Sequence, residues 1–216
     1  MRDKPEDPGD GVEPRAKTDR RVRADAQRNI DTLLQTAMAV FATSGVDAPV
    51  REIAEKAGLG VGTIYRHFPQ RSDLIAAVFR REIDACADAA PVLAAEHEPG
   101  EALARWIQRY VEFIAAKRGL AKALHSGDPA FDTLPAYFKQ RLEPALRILL
   151  ESAASAGQVR ADIAAEELLG AVASLCTHAS AQGSQHARRM VSLLVDGLRY
   201  GASSHPKSKK GARRKT

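Results

Sequence analysis

Cysteine is scarce in this 216-residue chain, with only Cys86 and Cys176 present. Two are too few for a disulfide framework and lack the close Cys/His spacing of a zinc site, so each reads as a core residue. Long apolar runs are missing as well. No stretch approaches the roughly 18 uninterrupted apolar residues of a membrane span, and Met1 to Arg23 contains no apolar segment of a secretion signal. A soluble, cytoplasmic chain is therefore expected. The six histidines, His67, His97, His125, His178, His186 and His205, are scattered, with no HExxH and no paired-carboxylate spacing. The expectation is no enzyme, no metal and no cofactor. There is no internal repeat and no sustained alternation of the strand type, which argues against repeat and β architectures.

Disorder throughout is also excluded, because 44% hydrophobic and 27% charged residues fill one large or two small globular domains. The net charge of +5 suggests a polyanionic partner, but its distribution changes that inference. Lys207 to Lys215 holds six basic and no acidic residues, and Met1 to Arg23 holds seven basic and six acidic ones. The body between them is left at −2. Nucleic-acid binding therefore has to come from a local constellation, and a nonspecific packaging protein with a basic body is disfavoured.

Residues 1–22 are rich in Pro, Gly and charge and read as a flexible arm, basic in its second half through Arg15, Lys17, Arg20, Arg21 and Arg23. Residues 203–216 read as a basic disordered tail. For both segments, contact with DNA is set against a merely solvated role.

Helical periodicity dominates the rest, and an all-α fold is expected. Ile30, Leu33, Leu34, Ala37, Met38 and Phe41 share one face of a helix from about Ala24 to Thr43, which Gly45 ends. Val50, Ile53, Ala54 and Ala57 mark a short helix, with Pro49 at its start and Gly58 just after it. A third covers residues 61–67 and is closed by Phe68 and Pro69, and Ser72 is placed to cap a fourth running to about Ala89. Longer helices follow, with stripes Leu103, Trp106, Ile107, Tyr110, Val111, Ile114 and Leu142, Leu146, Leu149, Leu150 before Gly157. The last two, roughly 164–180 and 186–200, are apolar on more than one side. Their width implies a second neighbour, for which another subunit is a candidate.

Residues 50–74, VREIAEKAGLGVGTIYRHFPQRSDL, have the shape of a helix-turn-helix. Ala54 allows two helices to cross closely, Gly58 accepts the left-handed backbone of the turn, and Ile64 and Phe68 face the core four residues apart. Val61, Gly62, Thr63, Tyr65, Arg66 and His67 remain outward, where a major groove can receive them. Gly58, Gly60 and Gly62 superficially resemble a dinucleotide loop, but a helix precedes them where that fingerprint needs a strand. The competing reading of Tyr65 and His67, as ordinary surface residues, is weighed against agreement over the whole motif.

With these residues in place, the chain resembles the TetR family of bacterial transcriptional regulators. The resemblance is dense from Arg28 to Phe79 and continues through the helix pattern and the phrase AGQVRADI, residues 156–163. It implies a three-helix DNA-binding domain over 23–71, joined to a ligand-binding and dimerisation bundle over 72–202. It further implies that Arg51 reaches a base or phosphate, that Gly60, Val61, Gly62 and Thr63 form the groove-facing end, and that Tyr65 and His67 touch phosphates. Arg71 stands where a lysine commonly grips the backbone, and Arg66 is a further candidate for base readout. The family often has Ser or Thr where this chain has Ala48, Pro49 and Val50, so a hydroxyl contact is lost or replaced. Val61 and Thr63 favour thymine methyls over bidentate hydrogen bonding.

The function implied is a ligand-responsive repressor. A homodimer would bind a pseudo-palindromic double-stranded DNA operator and be released by a partly apolar small-molecule effector through movement of the fourth helix. A TetR-like activator or a nonspecific nucleic-acid-binding protein is the alternative. Candidate effector contacts are Trp106, Tyr110, Phe113, His125, Phe138 and His178, with Phe131 and Tyr137 as further wall residues. For each of these, ordinary core packing is the competing reading.

Overall fold

A computed structural model describes residues 13–117, 120–178 and 184–202, with side chains over 26–117, 120–176 and 185–200. Among the described residues the elements are helical and no strand occurs.

Helix α1 (Glu13–Ser44) starts well before the expected Ala24, so the flexible-arm expectation is corrected from Glu13 onward. Residues 15–23 contain no glycine, and Pro14 falls in the first turn, where its missing N–H interrupts no helical bond. Extending a helix whose later turns are packed also avoids a new nucleation step, so this segment needs no burial of its own. Downstream, Leu33, Leu34, Ala37, Val40 and Phe41 are buried. Gly45, at φ +77°, ends the helix and donates its amide to the Phe41 carbonyl at 3.1 Å.

Helices α2 (Val50–Ala57) and α3 (Val61–His67) coincide with the two short helices read from the sequence. Gly58 adopts φ +68°, its amide meets the Glu55 carbonyl at 3.2 Å, and the Leu59 amide meets that of Ala54 at 2.9 Å. This pair of bonds is a Schellman cap, and it turns the chain within two residues. Ile53, Ala54 and Ile64 are buried against α1, and Phe68 packs at the edge of that core.

Helix α4 (Arg71–Glu96) corrects two expectations. Its cap is Gln70, whose amide donates to the Asp73 carboxylate at 2.9 Å, whereas Ser72 lies inside the first turn. It also continues past Ala89 through Pro91. The proline is exposed, so its ring meets solvent, while Ala87 and Ala90 are buried and Leu93 is half-buried against the bundle. At 1.5 Å per residue, α4 reaches about 39 Å, long enough to begin in the first domain and end deep in the second.

The second domain contains α5 (Pro99–Lys117), α6 (Ala121–Leu124), a 3-10 turn (Pro129–Phe131), α7 (Leu134–Ser155), α8 (Ala165–His178) and α9 (Ser184–Ala202). Helices α4, α5 and α7 pack on one another, and α8 and α9 close against α5. Residues 156–163 tie these pieces together. Gly157, at φ +70°, caps α7, Gln158 Oε1 accepts the Gly100 amide at 2.5 Å, and the Arg160 amide donates to the Leu198 carbonyl at 3.0 Å. A β-carbon at Gly100 would lie 2.8 Å from Gln158 Oε1, so a larger residue there would displace the Gln158 side chain from this hydrogen bond.

Candidate functional site

The α2–turn–α3 surface presents the reading residues together. Arg51 is 83% exposed and, among the described residues, pairs with Glu55, one helical turn on, at 3.2 Å. Such an exposed pair is held by about 0.3–0.5 kcal/mol, so the guanidinium is readily released to another acceptor. Gly60, Gly62, Arg66 and His67 are exposed, Tyr65 is 49% exposed, and Val61 and Thr63 are half-buried at the α3 start. A β-carbon at Gly62 would meet nothing within 4 Å, so internal packing does not require glycine there.

Arg71 has partners within the protein. Its Nε donates to the Val46 carbonyl at 2.6 Å, and Nη2 reaches the carbonyls of Val46 and Ala48. The guanidinium straps the α1–α2 loop to the start of α4. This is a task for the planar fork of arginine, since a single ammonium cannot bracket two carbonyls in the same way.

The second domain contains a partly open cavity of about 700 Å³, within the range of small-molecule sites. Tyr110, Phe113, Ile114 and Lys117 of α5, His125 just beyond α6, Phe138 and Glu143 of α7, and Glu166 and Leu169 of α8 contribute to its wall. A second space of about 360 Å³ shares Lys117, His125 and Phe138 with the first and reaches Phe79 of α4 and Phe131. Of the expected contacts, Tyr110, Phe113, His125 and Phe138 thus converge on the larger cavity.

Trp106 does not. It is fully buried in the core, stacked 5.8 Å from Tyr110, and its Nε1–H donates to the Cys86 carbonyl at 2.9 Å. Tyr137 also turns away, donating its hydroxyl to Asp84 at 2.7 Å. The side chain of His178, in the last turn of α8, lies outside the described residues, as do the tail from 203 and the arm over 1–12.

Sequence reasoning missed Lys117, Lys139, Glu143 and Glu166 at this cavity. Lys117 carried a usable signal, because it continues the stripe of Tyr110, Phe113 and Ile114 where an apolar residue is expected. Burial alone holds its ammonium below the ordinary lysine value. Tyr110 is pushed the other way, its phenol raised mainly by burial.

A further missed pair joins the domains. Lys122 of α6 meets Asp47 of the α1–α2 loop at 2.6 Å and, chiefly through that hydrogen bond, lowers the Asp47 pKa. The cavity wall at Ala121 and His125 is therefore one short helix away from the loop that Arg71 straps.

Comparison with known proteins agrees with this architecture. Residues 33–78 match bacterial regulatory proteins of the tetR family, and residues 98–200 match the C-terminal domain of SbtR-like transcriptional regulators. A TetR transcriptional regulator from Streptomyces coelicolor superposes with a TM-score of 0.70 at 37% identity, covering 79% of this chain and 98% of that one. A TetR regulatory protein from Mycobacterium vanbaalenii gives 0.64 at 35% identity, covering 82% and 99%. An HTH-type transcriptional regulator of Staphylococcus aureus is 38% identical over 64 residues, which is 29% of this chain and 35% of that protein. The matched stretch thus spans about a third of that curated relative. Near-complete coverage of solved regulators at this identity, on a fold carrying the helix-turn-helix and the bundle, means that the chain belongs to the TetR family of bacterial transcriptional regulators, non-enzymatic helix-turn-helix proteins that bind DNA.

Proposed function

We propose that this regulator is a ligand-released repressor that works in the cytoplasm as a homodimer on a pseudo-palindromic operator. The observation that carries the reading is the neighbouring pair of cavities in the second domain, which share Lys117, His125 and Phe138. The smaller one reaches Phe79 of α4, and α4 runs unbroken from the bundle to the strap that holds the α1–α2 loop. An effector that fits better when α4 is displaced shifts the population toward that arrangement and changes the placement of α3. By linkage, operator DNA must then weaken the effector in the same proportion.

Dimerisation through α8 and α9 is supported by apolar residues left outward on α9, where Leu193 is 62% and Tyr200 82% exposed. A twofold pair sets two α3 helices on successive major grooves, with half-sites one helical turn apart. On each half-site Arg51 and Arg66 supply the long donors, Val61 and Thr63 meet thymine methyls, and Tyr65 and His67 lie against phosphates. Gly60 and Gly62 let the α3 backbone come close. The basic turns of α1 before Arg23 extend from the same domain, and their contact with DNA is a separate question.

The test is fluorescence anisotropy and footprinting of the full chain on DNA flanking its own gene. Saturable binding to a defined palindrome, two protomers per site and poor competition by random DNA are expected. Equal competition by random DNA overturns the reading in favour of a nonspecific binder, and protection of a single half-site overturns the dimer.

A further inference from the structure

Lys117 occupies a place that packing alone does not explain. It is half-buried, it borders both cavities, and its ammonium stands 5.6 Å from the centre of the Phe79 ring. A lysine withdrawn from water ordinarily has a carboxylate beside it. Among the described residues none acts on Lys117, since burial is the sole influence on its proton affinity. The carboxylates that border the larger cavity, Glu143 and Glu166, are both engaged by Lys139, at 4.0 and 2.9 Å.

His125 offers an anion little. Its Nδ1 faces the Ala121 carbonyl at 2.7 Å, so in the neutral ring the proton sits there and Nε2 is an acceptor. The aromatic and aliphatic walls, Tyr110, Phe113, Phe138 and Leu169, suit an apolar body. Among the described residues of this wall, Lys117 is thus the cation without a carboxylate partner, set between the aromatic surface and the Lys139, Glu143 and Glu166 cluster.

We propose that the cavity takes an amphipathic monoanion, an aromatic or aliphatic carboxylate whose apolar body lies against Tyr110, Phe113 and Phe138 and whose head group pairs with Lys117. This rests on the reading of the cavity as an effector site and names the chemical class of its ligand. The anion supplies the direct partner that no described carboxylate gives Lys117, and a charge-assisted hydrogen bond in a partly dry site is stronger than one between neutral groups. Drawing the ammonium toward the head group also alters its cation–π contact with Phe79, so the ligand's charge acts on the surface that α5 shares with α4.

The experiment compares three probes of matched shape, naphthaleneacetate, naphthaleneethanol and naphthaleneethylamine, by titration calorimetry on the full chain. Lys117→Met and Lys117→Arg are measured alongside the parent, with thermal melts to establish that both fold. The carboxylate is expected to bind about tenfold to a hundredfold more tightly than the alcohol, and the amine least well. Lys117→Met is expected to erase that preference while keeping alcohol binding, and Lys117→Arg to restore most of it. Equal affinity for carboxylate and alcohol, a preference that survives Lys117→Met, or no saturable binding of the carboxylate overturns the proposal. Operator release, read separately by anisotropy, distinguishes the two readings. Lys117-dependent carboxylate binding that leaves operator affinity unchanged supports the anion site and removes the effector reading. Release by the alcohol with no carboxylate preference does the reverse.

Discussion

Arg71→Lys keeps the positive charge beside the α1–α2 loop but replaces a fork by a point donor. In the parent, one guanidinium serves the carbonyls of Val46 and Ala48. An ammonium in its place can serve one of them well. A hydrogen bond to a charged group contributes about 1.5–3 kcal/mol, and Arg71 is only half-buried, so losing one bond costs about 1–2 kcal/mol. At about 2–4 °C per kcal/mol for a chain of this size, the melting temperature should fall by roughly 2–8 °C. Arg71→Met leaves both carbonyls without their donor and should cost more, about 2–4 kcal/mol. The assay is a far-UV circular dichroism melt, paired with operator anisotropy well below either transition. A strap predicts a lowered melting temperature in both variants, with the loss graded from Lys to Met. A phosphate grip predicts that Lys behaves like the parent in both assays. Unchanged melting in Arg71→Met together with weakened DNA binding would refute the strap.

Arg51→Ala should weaken binding to the cognate operator by about 1–3 kcal/mol if the side chain reads a base, and equal loss on scrambled DNA would reduce it to a phosphate contact. Gly62→Ala should leave the melting temperature unchanged or raise stability by up to about 1 kcal/mol, because no atom opposes the new methyl group, yet lower operator affinity by keeping α3 out of the groove. Full operator affinity in that variant would show that the α3 backbone does not approach closely. Burial raises the Cys86 thiol from 9.0 to about 12, above its value in the unfolded chain. That contribution is therefore complete below about pH 9 and is lost as pH rises toward 12, so urea midpoints should decline across that window. A thiol-reactive dye should modify Cys86 only after denaturation, and rapid labelling of the native protein near neutral pH would contradict the burial.

The short helices of the first domain were legible because their signals are local. Ile53, Ala54, Gly58 and Ile64 each report on their own turn, and the cap at Gly58 is closed by neighbours in sequence. What was not legible depends on distant partners. Arg71 looked like a surface cation because the carbonyls it binds lie more than twenty residues back, in a loop with no motif of its own. Trp106 and Tyr110 share one stripe, and nothing in their spacing says that the first turns to the Cys86 carbonyl while the second borders a cavity. The start of α1 is illegible for another reason. Its residues offer little apolar surface of their own to bury and need only to continue a helix whose packing lies further along.

The turn between α2 and α3 is closed by main-chain amides and carbonyls, and the residues that follow it include Gly62, with open space around its α-carbon. The exposed arginines proposed to meet DNA are consequently not the ones that hold the motif together. Arg51 and Arg66 can be exchanged for other residues while Ile53, Ala54, Val61 and Ile64 stay in place. The surface is therefore suited to retargeting: a library varied at those two positions should yield proteins that fold alike and differ in the sequence they select.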